Sequence, residues 1–422
     1  MAGLGIDRDL QTVVVLGAGA SRGSSCARTV GLAPPVDADF FAQAQRIPAS
    51  KLTRRDRELF SFIRTEFGQG EFPTLEVFFT QIAAVDRFHH EFNIRGRVSG
   101  QFGKHLHTLT SLIPRVFDEA LGGRRCRWHE RIAASLRASD AIMSFNYDTL
   151  IDQALRDAGG KRWAPEVGYA FDVADGAQLW AGPPAPGRRF RSTIRLLKPH
   201  GSLNWAVDAE ARRVSLTAAY DASTTGSIVP PTWDKSDVHR WPWSEVWRAA
   251  RGALGTARML VVIGYSVPVT DQLSQALLRA DVQKLDALVV VNPDSEARRR
   301  VVQVMTSGLG PNAMVVEIPT LADFAEYLPP GPSESDALPV NEQLTLLGSM
   351  VTALGERVSR IADVLVDARS DLSEVAERAD EIEFNLERME LPDTDALEDR
   401  VRQLAAEVRD LDARLDSMLS VH

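Results

Sequence analysis

At least five apolar segments of this chain stop abruptly at a short polar, turn-forming cluster. The segments are residues 12–16, 141–145, 194–197, 259–263 and 287–291, and a last short strand is predicted at 314–318. One such junction is ordinary, but five favour a parallel sheet whose strands all deliver polar groups to the same edge. Ligands of open α/β sheets bind at that edge, so the pattern predicts a Rossmann-like α/β fold with a nucleotide-like ligand.

The change of polarity is sharpest after segment 141–145, where Asn146, Tyr147 and Asp148 follow the apolar run. Apolar residues then resume at helical spacing from Leu150, which predicts a buried strand that turns directly into a helix. We expect Asn146 and Asp148 to face the ligand. Tyr147 is interpreted as a wall of the site rather than as an acid, and the same holds for Tyr265.

A glycine turn, Gly17-Ala18-Gly19-Ala20-Ser21, follows the first predicted strand. In nucleotide-binding βα units such glycines let the backbone approach a phosphate, and the next helix presents free N–H groups to it. The signal is weak by itself. The third glycine of the dinucleotide-binding fingerprint would stand at position 22, where this chain has Arg22, so the dehydrogenase pattern is absent.

Residues 42–136 are predicted to form a helical insertion, because apolar residues recur there at three- and four-residue spacing. The insertion contains five of the histidines. His105 and His107 are two residues apart, so they do not share a helix face. No cysteine or carboxylate cluster accompanies them, so the five are interpreted as solvated or capping residues and no metal site is expected. They are His89, His90, His105, His107 and His129.

The composition predicts a cytoplasmic protein without a membrane segment. No apolar run approaches the roughly 20 residues that cross a bilayer, and no export signal is recognisable at the N-terminus. The only cysteines, Cys26 and Cys126, are interpreted as two isolated thiols, which form neither a disulfide framework nor a four-cysteine zinc site. No dense basic run is present, so a nucleic-acid partner is not expected.

The C-terminal part differs in character from the rest. Residues 340–422 carry 20 acidic and 9 basic residues, a net charge of −11, whereas the net charge of the whole chain is −9. A Pro- and Gly-containing linker is predicted at 329–340 and a coiled coil at 341–422, interrupted near Pro392. Its heptad seam, residues 344–418, predicts a homo-oligomer; a hairpin of the two helices within one chain and a coil between chains both remain open.

Five motifs in order resemble those of sirtuin-like domains, and most closely the bacterial sirtuin-like NAD-consuming domains of antiphage defence systems. They are GAGAS at residue 17, SFNYDTL around Asn146, KPHGSLNW around His200, VIGYSVPVTD around Gly264 and VVNPD around Asn292. The resemblance covers roughly residues 10–325, and the helical insertion is only loosely similar. It implies that residues 1–328 form a NAD-binding hydrolase domain.

The resemblance also implies roles for individual residues. Asn146 and Asp148 would lie at the nicotinamide ribose and carboxamide, and His200 would be the base that acts on a ribose hydroxyl. The other NAD contacts would be Gly17, Ala18, Gly19, Ser21, Gly201, Ser202, Gly264, Ser266, Asp271 and Asn292. A histidine with a pKa near its usual value of about 6.5 suits a base at neutral pH. Two alternatives stay open: His200 as a turn histidine bonded to backbone, and Asp271 as a helix cap.

The implied activity is hydrolysis of NAD, which is the substrate, to nicotinamide and ADP-ribose without a metal. The likeness to defence domains implies an effector that depletes NAD, activated through its coiled coil or by a defence-system partner. Protein-deacetylating sirtuins carry a four-cysteine zinc module, which this chain lacks, and the arginine that they place after the first glycine motif has no clear counterpart. The alternatives are a non-enzymatic NAD-sensing module, or a NAD-dependent deacylase or ADP-ribosyl transferase.

Overall fold

The computed structural model describes residues 11–328 except 28–31, 69–71, 95–98, 123, 183–192, 219–226, 234, 269 and 283–284, together with Gln403 and Ala406. Nine strands occur in this part: β1 (Gln11–Leu16), β2 (Ala141–Ser144), β3 (Val173–Asp175), β4 (Arg195–Leu197), β5 (Trp205–Asp208), β6 (Arg213–Leu216), β7 (Ala257–Ile263), β8 (Leu285–Val291) and β9 (Leu309–Ile318).

Six strands form one parallel sheet in the order β4-β2-β1-β7-β8-β9. The fold is therefore α/β and Rossmann-like, as predicted, and the strand order is that of the doubly wound dinucleotide-binding folds. β1 lies between β2 and β7: Val13 pairs with Ala141 on one side and with Leu260 on the other. The chain changes direction across the sheet between β1 and β7, which makes their carboxyl ends the topological switch point.

The described helices are α1 (Ala18–Arg22), α2 (Phe40–Ala44), α3 (Arg54–Phe67), α4 (Leu75–Glu91), α5 (Ser99–Leu121), α6 (Arg127–Ser135), α7 (Leu150–Ala158), α8 (Pro165–Gly168), α9 (Trp243–Thr256), α10 (Gln272–Asp281), α11 (Ser295–Met305) and α12 (Leu321–Glu326). Single 3₁₀ turns occur at Asp37–Asp39, Ala49–Lys51, Gly160–Arg162, Ala177–Leu179, Ser236–His239 and Thr306–Gly308.

Two hydrophobic cores organise these helices. The larger core surrounds the sheet, and its apolar β-branched strands are buried on both faces. The smaller core joins α2, α3, α4 and α5 through phenylalanines such as Phe41 and Phe78, whose rings meet edge to face at 5.2 Å. Helix α6 belongs to the sheet: Ile132 and Ala133 lie in the larger core, although the predicted insertion extends to residue 136.

Two helices of the smaller core, α3 and α4, begin at side-chain caps. Thr53 accepts a hydrogen bond from the backbone N–H of Asp56, and Asp56 accepts one from the backbone N–H of Thr53. Asp56 is fully buried and forms a two-pronged ion pair with Arg115 of α5, at 2.6 and 2.7 Å. The cap and the ion pair together fix the start of α3 against α5.

A second, three-stranded sheet, β3-β6-β5, is a feature that the sequence patterns do not predict. Residues 163–191 contain β3, α8 and a 3₁₀ turn. Trp205 on β5 is fully buried and packs edge to face against Tyr169 and Phe171. All three aromatic side chains belong to the larger core.

The chain divides into two units, Met1–Asp336 and Ala337–His422. The predicted linker at 329–340 and the predicted coiled coil at 341–422 lie outside the described residues, apart from two helical, exposed positions, Gln403 and Ala406. None of the helices in the described part of the chain combines the length and the apolar character needed to cross a membrane.

Candidate functional site

Two glycine turns meet at the switch point. The Gly17 N–H donates to the Ile263 carbonyl at 2.9 Å, and the Gly19 N–H donates to the Gly264 carbonyl at 2.8 Å. A Cβ on Gly17 would lie 2.5 Å from the Cα of Tyr265, and Gly264 has a φ of +61°. The close approach of the two turns is a structural reason for glycine at these positions, besides the phosphate contact that the sequence predicts.

Asn146, Ser21 and Asp148 form one buried hydrogen-bonded cluster at the ends of β1 and β2. The Asn146 side-chain nitrogen donates to the Gly17 carbonyl at 2.9 Å and to Ser21 Oγ at 3.0 Å. Ser21 Oγ in turn donates to Asp148 Oδ2 at 2.6 Å, and Asp148 Oδ1 accepts the Leu150 N–H at 3.0 Å. These contacts join the glycine turn to the start of α7 and fix the orientation of the Asn146 amide.

A buried ion pair between Lys198 and Asp152, which the sequence patterns do not predict, contacts this cluster at the backbone of Asp148. Lys198 Nζ donates to the Asp148 carbonyl at 2.6 Å and lies 3.0 Å from Asp152 Oδ2. Neither side chain of the Lys198–Asp152 pair is exposed. Tyr169 donates to Asp152 Oδ1 at 2.5 Å, and the Asn204 amide lies 3.5 Å from the same oxygen. One signal was present in the sequence: Asp152 interrupts the apolar face of its helix between Ile151 and Ala154.

His200 and Asp271 face each other at the ends of β4 and β7. His200 Nε2 lies 3.8 Å from Asp271 Oδ2, which also accepts the Tyr265 hydroxyl at 2.9 Å. The Phe145 ring packs against both aromatic neighbours of this pair: it is stacked on Tyr265 at 4.6 Å and lies 5.2 Å from the His200 ring. The side chain of Asp271, at the start of α10, makes no capping hydrogen bond, so the helix-cap alternative is wrong.

Two buried polar atoms of this pair have no hydrogen-bond partner among the described residues, namely His200 Nε2 and Asp271 Oδ1. His200 is 8% exposed and Asp271 is 3% exposed. Leaving a buried polar atom unpaired costs about 1–3 kcal/mol, and such atoms are uncommon in folded proteins. A basic nitrogen and a carboxylate oxygen that both lack a hydrogen-bond partner indicate a position where a polar ligand group completes the hydrogen bonding.

Lys235 is a third buried group of this cluster, and sequence reasoning did not identify it. Its Nζ lies 3.8 Å from Asp271 Oδ1, and its side chain is 6% exposed. Burial and the charge of Lys235 together lower the pKa of His200 to about 4. Asp271 raises this pKa, but its effect is smaller than that of Lys235. The expectation of a pKa near 6.5 is therefore wrong, because the histidine is buried and the charge of Lys235 adds to the effect of burial. Its imidazole is neutral at pH 7 and is a weaker base than predicted.

The phenols next to the site are not acids at neutral pH. The Tyr147 hydroxyl donates to the Val229 carbonyl at 2.9 Å, and burial raises the pKa of Tyr147. Burial likewise raises the pKa of Tyr265, and the nearby Asp271 carboxylate adds to the effect. Tyr265 contacts the cluster through Asp271, whereas the hydroxyl of Tyr147 is bonded to the backbone of Val229.

The helical block reaches the same region through Glu76, in the first turn of α4. The Thr270 hydroxyl, just before Asp271, donates to the Glu76 carboxylate. Burial raises the pKa of Glu76, an effect that Thr270 and Lys235 oppose. The cluster of Asp271 and Lys235 therefore lies where the sheet and the helical block meet.

Other residues predicted to contact NAD have local structural partners. Gly201 has a φ of +82°, and a Cβ there would lie 2.1 Å from the Ser227 carbonyl. Ser202 is fully buried and donates to Asn204 at 2.6 Å, within the network of the Lys198–Asp152 pair. These contacts give Gly201 and Ser202 structural roles next to the site.

Two more predicted contacts lie at the edge of β7 and β8. Ser266 is exposed, and its carbonyl accepts a hydrogen bond from Arg300 at 3.2 Å. Asn292 is 8% exposed, and its side-chain oxygen accepts the Asp294 N–H at 3.0 Å in a local turn. Ala18 is exposed at the start of α1. Within the described residues, no hydrogen bond joins Ser266, Asn292 or Ala18 to Asn146 or Asp148.

The interpretation of the insertion histidines as solvated or capping residues is wrong for His129. It is 1% exposed, and its Nδ1 lies 3.0 Å from the sulfur of Cys126. His105 is half-buried and stacks on Phe62 at 4.3 Å. In the described part of the chain, no group of three or more His, Cys, Asp or Glu side chains could hold a metal ion.

Comparison with known proteins does not identify a family. The chain matches no model of a protein family, and none of the curated proteins matches it.

Proposed function

We propose that the chain is a NAD hydrolase that cleaves the bond between nicotinamide and ribose at the carboxyl ends of β1, β2, β4 and β7. The observation that carries the proposal is the pair of unpartnered buried atoms, His200 Nε2 and Asp271 Oδ1, at the edge of a Rossmann-like sheet. A ribose hydroxyl or a water molecule can donate to one of these atoms and satisfy it. The order of the five sequence motifs supports NAD as the nucleotide.

The chemistry needs little acid assistance, because nicotinamide leaves as a neutral molecule. The C–N bond breaks with its electron pair on the nicotinamide nitrogen, and the ribose carbon becomes an oxocarbenium ion. Water adds to that carbon and loses a proton, which gives ADP-ribose. His200 is neutral at pH 7 and can take that proton, directly or from a ribose hydroxyl.

Asn146 and Asp148 have separate roles in this proposal. The nitrogen of the Asn146 amide is held by Gly17 and Ser21, so its carbonyl oxygen is the group left to position water or a ribose hydroxyl. Asp148 is a positioning residue, because its carboxylate accepts the Ser21 hydroxyl and the Leu150 N–H. An amide beside a developing cation adds a dipole without a charge that would trap the cation.

The experiment that tests this function is incubation of the purified full-length chain with NAD, followed by chromatography of the products. Nicotinamide and ADP-ribose are expected in equal amounts. Asn146→Ala should reduce the rate by about 10²–10³-fold, as removal of a preorganised polar group does in other enzymes. Asn312→Ala is the matched control, because Asn312 is exposed on β9. Equal rates for the two variants would remove Asn146 from the mechanism.

We further propose that the enzyme acts in the bacterial cytoplasm as a NAD-depleting effector of antiphage defence. The resemblance of the motifs supports this role, and the heptad seam of residues 344–418 supports assembly into a homo-oligomer. Leu365→Asp in the full-length chain places a charge in the seam and should shift the sedimentation coefficient toward that of a monomer. If the rate of NAD cleavage falls together with the sedimentation coefficient, assembly is required for turnover. A partner protein is needed as an activator only if the assembled chain is inactive.

A second function, NAD sensing without turnover, is favoured by one observation. The pKa of His200 is lowered to about 4, which weakens it as a base. Calorimetry separates the two functions: a sensor binds NAD tightly and releases no nicotinamide at any protein concentration. A hydrolase releases nicotinamide in proportion to the amount of folded protein.

A further inference from the structure

Cys26 and Cys126 are 100 residues apart in the sequence but lie together in the fold. Cys126 immediately precedes α6, and Cys26 follows α1 by four residues. Both thiols are free and buried in the smaller core, and the interaction between them shifts the pKa of each. Consecutive residues hold them: Cys26 Sγ lies 3.5 Å from Ser24 Oγ, and Cys126 Sγ lies 3.5 Å from Ser25 Oγ. The interpretation of the two cysteines as isolated thiols is therefore wrong in the folded chain.

Three polar groups converge on the sulfur of Cys126. The Ser25 N–H lies 3.3 Å from it, the Ser25 hydroxyl 3.5 Å, and His129 Nδ1 3.0 Å. The Ser25 oxygen accepts the Arg127 N–H at 2.9 Å, which leaves its own hydrogen free to point at the sulfur. A neutral thiol is a weak acceptor, so three donors around one sulfur match a thiolate.

The electrostatics of the pair agree with this geometry. A hydrogen bond from Cys26 and the charge of His129 hold the pKa of Cys126 far below its ordinary value, although burial opposes them. Burial alone would lower the pKa of His129, but the Cys126 thiolate and the Asp148 carboxylate raise it. Cys126 also lies at the N-terminus of α6, where the helix dipole stabilises an anion.

We propose that Cys126 is a reactive thiolate, paired with the His129 imidazolium, that forms a disulfide with Cys26 when a small hydroperoxide oxidises it. Ser25, which covers the sulfur, is exposed, so the oxidant has a short path to a buried group. The proposal does not depend on the NAD hydrolase activity.

The reaction has two balanced steps. The Cys126 thiolate attacks one oxygen of hydrogen peroxide, the O–O bond breaks, and the leaving hydroxide takes the His129 proton to become water. Cys126 is then a sulfenic acid. The Cys26 sulfur attacks the Cys126 sulfur, the S–O bond breaks, and hydroxide leaves with the Cys26 proton as a second water. The two thiols lose two electrons in total, and the peroxide gains them.

Oxidation of the two cysteines would change the electrostatics of the candidate active site through the charge of His129. The disulfide removes the negative charge that raises the pKa of His129, so the imidazole becomes neutral. The charge of His129 interacts with Asp148, which accepts the Ser21 hydroxyl. The redox state of the cysteines thereby changes the electrostatic field at a residue that positions Asn146.

The experiment treats reduced full-length protein with hydrogen peroxide and follows the intact mass and the peptides of a non-reducing digest. The expected result is the loss of two hydrogen atoms and a peptide in which Cys26 is joined to Cys126. Cys26→Ser should instead accumulate a sulfenic acid at Cys126, trapped by dimedone. Cys126→Ser should give neither product.

His129→Gln tests the imidazolium, since the thiolate loses its cation and proton donor. Disulfide formation should slow by about tenfold or more at pH 7, whereas His107→Gln, an exposed histidine of α5, should leave the rate unchanged. Circular dichroism establishes that each variant is folded. A folded wild type that stays reduced, or dimedone labelling of Cys26 in Cys126→Ser at the wild-type rate, overturns the proposal.

Discussion

His200 and His129 are both buried, and both interact with residues that follow β2, yet their pKa values are shifted in opposite directions. Burial and the cation of Lys235 lower the pKa of His200 to about 4. Burial also acts against protonation of His129, but the Cys126 thiolate and Asp148 raise its pKa. The pKa of the same side chain is therefore lowered at one site and raised at the other, because the cation of Lys235 outweighs Asp271 at His200, whereas Cys126 and Asp148 both favour protonation of His129.

The two histidines also differ in what remains for a ligand. His200 Nε2 is buried and unpartnered, whereas His129 Nδ1 already contacts Cys126. A nitrogen that the fold leaves unsatisfied is available for catalysis or binding, and one that the fold has paired serves stability or redox chemistry. Neither burial nor residue type separates the two roles; the hydrogen-bond partners do.

The largest expected effect follows from exchanging each histidine for glutamine and measuring nicotinamide release. His200→Gln should lower the rate by about 10²–10⁴-fold, the range for loss of a general base. His129→Gln should lower it by less than about tenfold, because it acts only through the field at Asp148. Similar losses in both variants would show that the comparison is wrong and that His200 has a structural role.

Buried lysines allow the same comparison, and the next largest effect is on stability. Lys198 is fully buried and paired with Asp152. Lys198→Met leaves the Asp152 carboxylate buried without its cation, which should lower the free energy of unfolding by about 3–5 kcal/mol. Lys161→Met, at an exposed position, is the control for urea unfolding. A change below about 1 kcal/mol would mean that water or a rearranged neighbour replaces the lysine.

A smaller effect concerns stability against pH. The pKa of His200 in the folded chain, about 4, is below the unfolded value of about 6.5. The contribution of His200 to the free energy of unfolding is therefore fully present above pH 6.5. It is lost as the pH falls toward 4, because the unfolded chain then binds a proton that the folded chain does not. The loss is on the order of 3 kcal/mol.

Urea unfolding of the wild type and of His200→Gln at several pH values measures this contribution. The free energy of unfolding of the variant should decline less steeply between pH 6.5 and pH 4 than that of the wild type. The stabilising contribution of the Cys126–His129 pair also falls in this range, because the Cys126 thiol is protonated in the unfolded chain but not in the folded chain. A residual slope is therefore expected in His200→Gln. Identical slopes in the two proteins would mean that the pKa of His200 is not lowered.

The sequence predicted the frame of the site better than its interior. Strands β1, β2, β4, β7, β8 and β9 were predictable, because apolar runs that end in polar turns are local patterns. The small sheet was not, because Trp205 and its partners are brought together only by tertiary packing. The motifs placed His200 and Asn146 at the sheet edge, and contacts between distant segments decided their chemistry.

Lys235 illustrates what sequence reasoning lacks. It lies in no motif, and its role depends on a distance of 3.8 Å to Asp271, which is 36 positions further along the chain. Cys26 and Cys126 are the same kind of case, because two single thiols carry no sequence signal of contact. Charges and thiols that meet across the fold change the pKa of their neighbours, and no local pattern reports such a meeting.

The smallest effect sharpens the comparison by changing one neighbour and no histidine. Lys235→Met removes the cation beside His200, so the pKa of His200 should rise from about 4 toward its usual value. An NMR titration of the imidazole measures this directly, with Lys161→Met as the control. The pKa of His129 should stay unchanged, because Lys235 does not contribute to it. If the pKa of His200 also stays at about 4, burial alone sets it, and the two histidines differ through Cys126 rather than through Lys235.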